Sequence, residues 1–578
     1  MDYKIVIALD FGTSRSGYAY AFIPDGDVFY RDLWPGQLVP YAKTLTHLLY
    51  APDLSVAGWG YEAPLRYNAL RRSANAQNHF YFHRFKLQLR EGENRGGNEG
   101  PYMTQNGRSF PVVKVIADYL RQLKDLALEE IQSSVARSLR EPEIRWCLTV
   151  PAIWNDSQKA LMRQAAIRAG LIRPDEAASE RLLLALEPEA AALYCQHVER
   201  LSLSPGTCFM IVDCGGGTVD ITTHEVLPGL ALREVVPGTG GPHGATYVDR
   251  VFQQYLAEKL TPAAIEALDQ AEPIELLNFL FEEWERAKCE FDPRSGADRV
   301  EIPIRPRLLR LLDRQFPAVM ERLAEEQEGD DGYLYLSRER MLGLFQGPLD
   351  GVVARIEEQL QALGRRTCDY LYLVGGFSTS ATLRQRVQET FGHRVRKIVM
   401  PPNPGAAIVG GAVRFGMNPE AIRARRARLT YGLSCSMPFE EGGDPVAKRF
   451  WSSDWGQWRC RDRISIFVQA GEVIEDDRPV IQIFRPSERN SRNATLDILA
   501  TRKINVRYSD EPGVIKLGSL SLKMPDTTGG IDRRIECQMF FGKTEIRVQA
   551  KDLTSGQVST ESCRLSFTFS PELAGEGR

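Results

Sequence analysis

Two short glycine-rich turns, one near the start of the chain and one about two hundred residues later, constrain it more than any other feature. Asp10-Phe11-Gly12-Thr13-Ser14 follows the apolar run Ile5-Val6-Ile7-Ala8-Leu9, and Asp213-Cys214-Gly215-Gly216-Gly217-Thr218-Val219-Asp220 follows Phe209-Met210-Ile211-Val212. Each continues into a second β-like stretch, residues 17–22 and 219–223. Glycine has no Cβ, so such a turn folds tightly and brings backbone N–H groups against an anion. The threonine hydroxyl adds a donor. An aspartate repels phosphate directly, so the leading Asp10 and Asp213 make chemical sense as holders of a hydrated Mg²⁺ that the phosphates share. One such turn is also an ordinary hairpin. Two copies, one per half of the chain, read as an internal duplication that grips a nucleotide from both sides.

At 578 residues the chain has material for several buried cores. Its 43% hydrophobic and 25% charged residues are ordinary for a globular protein, and a net charge of −3 gives no general attraction to nucleic acid or acidic membranes. Residues 1–30 lack a basic-then-apolar leader pattern, and no apolar stretch reaches the length of about 18 residues that spans a bilayer. The 10 cysteines are scattered, several inside apolar runs (Cys147, Cys208, Cys368), with no C-x-x-C pair. That pattern points to reduced, buried thiols rather than a disulfide frame or zinc site. The 7 histidines form no H-E-x-x-H. Asn155 and Asn493 begin glycosylation sequons that read as accidental without a secretory route. The expected compartment is the cytosol or nucleus.

Along the chain, residues 1–90 alternate short β-like runs with polar turns, 91–107 read as a Gly- and Asn-rich loop, and 112–139 as a long amphipathic helix. A strand over 144–150 leads into a helix with Asp156 or Ser157 as N-cap, Gly170 as its stop, and Leu161, Ala165 and Ala169 on its apolar face. From Ala427 onward the pattern changes to alternating runs such as 463–468 and 544–550 between Gly and Pro turns, which argues for an antiparallel β domain.

The paired turns resemble those of the actin-like ATPase superfamily, and further motifs narrow the resemblance to the seventy-kilodalton heat-shock chaperones. The segment Thr149-Val150-Pro151-Ala152 … Asn155-Asp156-Ser157-Gln158 … Ala169-Gly170-Leu171 is similar to theirs. So are Leu186-Glu187-Pro188-Glu189-Ala190-Ala191-Ala192, Val374-Gly375-Gly376-Phe377-Ser378, and Asn403-Pro404-Gly405 with Gly410-Gly411-Ala412. The W-x-L-T-V-P-A-I-W wording and the arginine-rich 423–433 stretch look most like the divergent heat-shock 70 kDa protein 12 branch. The resemblance covers about residues 4–430. It implies an α/β two-lobed actin-like ATPase fold of duplicated ribonuclease H-like lobes, followed by an all-β sandwich. The implied boundaries are lobe I over 1–205 (completed by about 400–420), lobe II over 206–400, an arginine-rich linker over 421–432 and the sandwich over 433–570. The sequence stops at Arg578, where the family's helical lid would begin, so a lidless sandwich is expected.

By the same resemblance, Asp10 and Asp213 position Mg²⁺ through its waters, while Gly12, Thr13 and Ser14 wrap the phosphates of ATP or ADP. Gly215, Gly216, Gly217 and Thr218 close from the other lobe, and Glu187 stands near the attacking water. The alternative for Glu187 is a carboxylate that merely caps a helix; for Asp220 it is one that satisfies turn amides. The family's phosphate-contacting lysine falls in Phe82-His83-Arg84-Phe85-Lys86-Leu87, where equal spacing puts Arg84 at its place and Lys86 two residues on. The guanidinium fork is not equivalent to an ammonium at a tight site, so slow hydrolysis is expected. Trp284-Glu285-Arg286-Ala287-Lys288-Cys289 resembles the helix that holds the ribose through Glu285 and Lys288, the alternative being a solvated i,i+3 pair. Gly375, Gly376 and Phe377 form the adenosine turn. Cys289 and Thr379 stand where the family has arginines that stack on adenine, and Asp292 stands where it has a serine. In place of an apolar linker stands Arg423-Ala424-Arg425-Arg426-Ala427-Arg428, read as a solvated helix end or a site for an acidic partner.

The function implied is an ATP-binding, slowly hydrolysing, chaperone-like protein whose nucleotide state governs a β domain. Its partners would be an extended or unfolded polypeptide or a dedicated protein, with a nucleotide-exchange factor or J-domain co-chaperone, and neither nucleic acid nor membrane. The alternatives are a nucleotide-sensing scaffold with little hydrolysis, which the altered lysine, clamp and linker favour, and a sugar kinase, against which the β tail speaks.

Overall fold

The computed structural model describes residues 3–37, 40–71, 78–91, 102–136, 138–176, 179–198, 203–327, 332–475, 478–541 and 544–562. Two of its sheets are built on one plan. In the first, Ile5–Asp10 is central, Arg15–Phe22 returns antiparallel on one side, and Ile144–Val150 and Leu182–Leu186 run parallel on the other. In the second, Cys208–Cys214 is central, Val219–Val226 returns antiparallel, and Tyr370–Val374 and Lys397–Val399 run parallel on the far side. Both central strands are buried at every position. Helices on both faces demand that, which is why these strands read as unbroken apolar runs rather than alternating ones.

Local sequence fixes the connecting helices. Asp156–Ala169 is capped by Asn155, one residue before the expected cap: Gln158 N–H donates to Asn155 Oδ1 at 2.9 Å, and Asn155 N–H donates to Gln158 Oε1 at 3.0 Å. This reciprocal box satisfies two amides a helix start leaves orphaned. Gly170 ends the helix in the left-handed region at φ 78°. The helix expected over 112–139 spans Val112–Ser134, and residues 102–107, expected as part of a loop, instead supply the strand Tyr102–Gln105 and the turn of a hairpin with Arg108–Pro111. Residues 92–101 lie outside the described ones.

Each lobe has its own core, and a third cluster of mostly small residues joins them. It takes Val6 and Ala8 from the first sheet, Phe209 and Val374 from the second, and alanines from the helices Glu187–Val198 and Ala407–Met417. A Cβ on Gly411 would collide with the Ala190 carbonyl, so the two helices cross at backbone contact. That close crossing sets the two strand-turns against one gap.

Beyond Thr430 a five-stranded sheet faces a four-stranded one across a core that includes Leu433, Phe467, Leu520, Met539 and Val548. The linker corrects the expectation of a solvated helix end. Ile422–Arg426 is a strand that adds parallel to Leu232–Gly241 at the edge of the second sheet, and Val473–Glu475 pairs on its far side. Ile422 and Ala424 are buried and Arg423 is exposed, as a strand's alternation gives, while Arg425 departs from it and is buried against Glu189. Arg426 donates to the carbonyls of Val235 and Gly471 (2.5 and 2.7 Å), so its charge keeps polar company in a partly buried place. The expected absence of a lid falls on residues 570–578, outside the described ones. No helix among the described residues is long and apolar enough to cross a membrane.

Candidate functional site

The first turn begins at Asp10, which lies in register opposite Gly17; the second begins at Asp213, which lies opposite Asp220. Both turns are braced from within. Gly12 N–H donates to Ser16 Oγ at 3.1 Å and Thr46 Oγ1 donates to the Gly12 carbonyl at 2.9 Å, while Gly215 N–H donates to the Thr218 carbonyl at 3.0 Å. Across the gap they face each other. A Cβ on Gly216 would stand 2.5 Å from Ser14 Oγ, and one on Gly217 2.6 Å from Thr13 Oγ1. Real Cβ atoms do not tolerate such distances, so the approach of the two backbones depends on glycine. Gly12, Thr13, Ser14, Gly215, Gly216 and Gly217 thus come to one place.

Four buried carboxylates surround it: Asp10, Glu187, Asp213 and Asp220. Two buried lysines face them. Lys86 Nζ meets Glu187 Oε1 at 2.6 Å, and Lys43 Nζ meets Asp10 Oδ2 at 2.6 Å, with Thr149 Oγ1 donating to Asp10 Oδ1 at 3.0 Å. Burial opposes the charge on Lys43, but the Asp10 carboxylate beside it outweighs that penalty and holds its pKa above the ordinary lysine value. Burial pushes Glu187 up to about 7, against the pull of Lys86 and with repulsion from Asp10 and Asp220. Burial, then repulsion from Glu187 and Asp220, raises Asp213 well above the carboxylate range. Asp220 is raised by burial while accepting from Ile153 N–H at 3.0 Å and from Thr218. Among the described residues, Asp213 Oδ1 and Asp220 Oδ2 are buried without a hydrogen-bond partner, as is Asp10 Oδ2 apart from its ion pair with Lys43.

Four carboxylates against two ammonium groups leave the site short of positive charge. The donors fit a hydrated Mg²⁺, which takes one or two carboxylates and keeps its waters rather than needing a protein cage. Among the described residues no cluster of three or more His, Cys, Asp or Glu forms such a cage.

Arg84 requires a correction. It does not stand at the lysine's place. Its backbone is left-handed at φ 55°, which throws the side chain off the line of strand Phe80–His83 toward lobe II. There its Nη2 meets Asp249 Oδ2 at 2.7 Å and its guanidinium lies over the Phe281 ring. Lys86, two residues on, faces Glu187 instead.

Asp249 also anchors the second group of candidates. Lys288 Nζ is buried between Asp249 Oδ1 (2.7 Å) and Glu285 Oε2 (2.5 Å), and Trp284 Nε1 donates to Asp249 Oδ1 at 2.9 Å. Lys288 is therefore no solvated face residue. Gly375 and Gly376 lie beside the second turn; a Cβ on Gly375 would stand 2.5 Å from Asp213 Oδ1. Tyr41 comes over from lobe I, its hydroxyl 3.6 Å from the Cβ position of Gly376, and the Arg15 guanidinium stacks 5.2 Å from its ring. Phe377 is the second correction: its ring turns into the lobe II core against Phe345, because an apolar ring gains more there than on a polar turn. Cys289 and Thr379 are exposed, and half-buried Asp292 pairs with Arg294.

Sequence reasoning missed Lys43, Tyr41, Arg15 and Asp249. Tyr41 and Lys43 fall in Tyr41-Ala42-Lys43-Thr44, a stretch without glycine or periodicity, and reach the site only because Thr44–Leu45 pairs with Arg15 and Ser16.

Comparison with known proteins gives one family model over residues 82–421, described as Hsp70 protein. Among curated proteins, the chain is 30% identical to Heat shock 70 kDa protein 12B of Homo sapiens, over 98% of this chain and 91% of that one. It is 29% identical to Heat shock 70 kDa protein 12A of Mus musculus, over 96% and 90%. It is also 29% identical to Chaperone protein DnaK 1 of a Synechococcus strain, over 56% of this chain and 37% of that protein.

Proposed function

The chain belongs to the Hsp70 family, whose members bind ATP or ADP, generally with Mg²⁺; from that premise we propose that it hydrolyses ATP slowly between its two turns and uses the nucleotide state to control how its β domain holds a polypeptide. In this reading the amides of residues 12–14 and 215–217 hold the phosphates, and Asp10 and Asp213 hold the metal's waters. Mg²⁺, when bound, supplies charge neutralisation of the phosphates. Lys86 keeps Glu187 oriented toward the gap, and ionised Glu187 orients the attacking water. Glu285 and Lys288 hold the ribose beside Gly375 and Gly376.

The observation that carries the proposal is a single helical turn. Glu187 opens the helix Glu187–Val198, and two residues later buried Glu189 accepts a bidentate pair from Arg425 of the linker strand at 2.7 and 2.9 Å. Glu187 and the carboxylate that holds the linker thus share one helical turn, the route by which a shift at one would reach the other. The β domain also touches lobe I directly, Lys159 Nζ donating to the Thr544 carbonyl at 3.0 Å and Arg163 Nε pairing with Glu545 at 2.8 Å. For the polypeptide, the short edge strand Arg449–Ser452 offers free backbone groups beside exposed Trp451 and Trp458, suited to strand addition with fast exchange.

A second reading, a nucleotide-sensing scaffold with little turnover, has one specific observation in its favour: Glu187 is closed onto Lys86 and holds its proton up to about 7. ATP turnover by the full chain, with and without an unfolded polypeptide, separates the two. Turnover that rises with polypeptide supports the chaperone-like reading. Nucleotide binding without turnover in either condition would leave the scaffold.

A further inference from the structure

The two turns differ in one group that the duplication does not repeat. Gly17 stands in register opposite Asp10, and its missing side chain leaves a passage: a Cβ there would lie 3.2 Å from Lys43 Cγ and collide with the Ala42 carbonyl. Through that passage the Lys43 stem crosses the strand and delivers its ammonium to Asp10 Oδ2 at 2.6 Å. Lys43 is 8% exposed and feels the charge of Asp213 as well as that of Asp10. Opposite Asp213 the register places Asp220 instead, so no second lysine reaches the second turn by this route.

We propose that Lys43 is the protein's own cation at the phosphate-binding turns, and that it lets the cleft bind a nucleoside diphosphate without a divalent metal. The inference rests on the nucleotide reading of the cleft given above. A lysine ammonium is a compact point charge on a flexible stem, able to hold Asp10 and a phosphate oxygen together. It already occupies the flank of Asp10 that a diphosphate would share. With Lys43 paired to Asp10 and Lys86 to Glu187, a diphosphate brought to the amides of residues 12–14 meets no net negative charge from these pairs on the lobe I side. The metal then adds charge chiefly at Asp213, where an oxygen still lacks a partner.

Calorimetric titration of ADP into the full chain, in Mg²⁺ and in excess chelator, tests this. In the wild type, affinity in chelator stays within a few-fold of that in Mg²⁺. In Lys43→Met, removal of Mg²⁺ lowers affinity by about 30-fold or more, the loss that goes with deleting one partner of a buried charge contact. Lys43→Arg, which keeps the charge, stays closer to wild type than Lys43→Met does. The wild-type arm needs no variant to fold: a loss of 30-fold or more on chelation there would overturn the proposal even as binding in Mg²⁺ upholds the nucleotide cleft. Equal metal dependence of wild type and a folded Lys43→Met would overturn it too. Absence of ADP binding in both media would refute the nucleotide reading itself.

Discussion

The two glycine turns share a backbone and differ in their electrostatics. In lobe I, Asp10 lies opposite a glycine, and through the space that glycine leaves it gains Lys43 as a partner. In lobe II, Asp213 lies opposite another carboxylate, Asp220, and among the described residues its Oδ1 has neither a hydrogen-bond partner nor an ion pair, whereas Asp10 Oδ2, also without a hydrogen bond, is ion-paired to Lys43. The two strand–turn–strand units thus share their glycine turns but not the charge balance behind them. Lobe I's turn is compensated before anything binds. Lobe II's turn carries the unmet demand for a cation, which makes it the half of the site more sensitive to what binds.

Neutralising each aspartate in turn is expected to have the largest and most unequal effects on the two turns. Asp10→Asn leaves Lys43 buried without its charge partner and is expected to destabilise the nucleotide-free protein by about 3 kcal/mol. Asp213→Asn removes a buried carboxyl whose ionisation burial and its neighbours oppose, and is expected to leave that stability unchanged or higher. Urea unfolding without nucleotide measures both, and equal losses would end the asymmetry. The pH dependence has a definite sign. Asp213 holds its proton more tightly folded than unfolded, so its protonated form adds stability below the ordinary carboxylate value of about 4, and that contribution fades as pH rises toward its folded pKa. Asp213→Asn should flatten that slope.

Next in size is Glu187→Gln, which keeps the shape and removes the charge. Turnover is expected to fall about 100-fold with nucleotide affinity retained; single-turnover kinetics and calorimetry on the same sample check both halves. Unchanged turnover would make Glu187 structural. Glu189→Gln, on the same helical turn, should leave ATP binding intact, yet loosen the linker by weakening the Arg425 pair. Faster proteolysis near residues 422–426 in the variant is the readout, and an unchanged cleavage rate would speak against coupling through this pair. The smallest effect concerns the base. Cys289 and Thr379 are exposed without arginine's π-face contact, which elsewhere contributes about 1 kcal/mol. Competition between ATP and GTP should therefore show less than about tenfold discrimination, and strict ATP selectivity would mean that Arg15 and Tyr41 build the pocket instead.

What could be read from the sequence was local. The strand–turn–strand units announce themselves because an apolar run, an aspartate and glycines are adjacent in the chain, and Glu187 follows a buried strand directly. The sandwich shows through its alternating pattern. What escaped depends on contacts between segments far apart. Lys43 reaches Asp10 only through the pairing of Thr44–Leu45 with Arg15 and Ser16. Equal spacing pointed to Arg84, but one left-handed residue turned that side chain to Asp249 and left Lys86 to Glu187. Phe377 sits in a polar motif, yet burial decided its direction. The arginines of the linker suggested solvent because their partners, Glu189 and the carbonyls of Val235 and Gly471, are contributed by other elements.

In the proposed function, nucleotide at the paired turns governs the β domain through the helix of Glu187 and Glu189. The most direct test is stopped-flow release of a fluorescent extended peptide preloaded on the full chain and mixed with ATP, ADP or buffer. Release is expected to be about tenfold faster in ATP than in buffer, the size of an ordinary coupling between sites, with that acceleration lost in Asp213→Asn. Identical release rates in all three mixtures, with ATP binding verified, would contradict it.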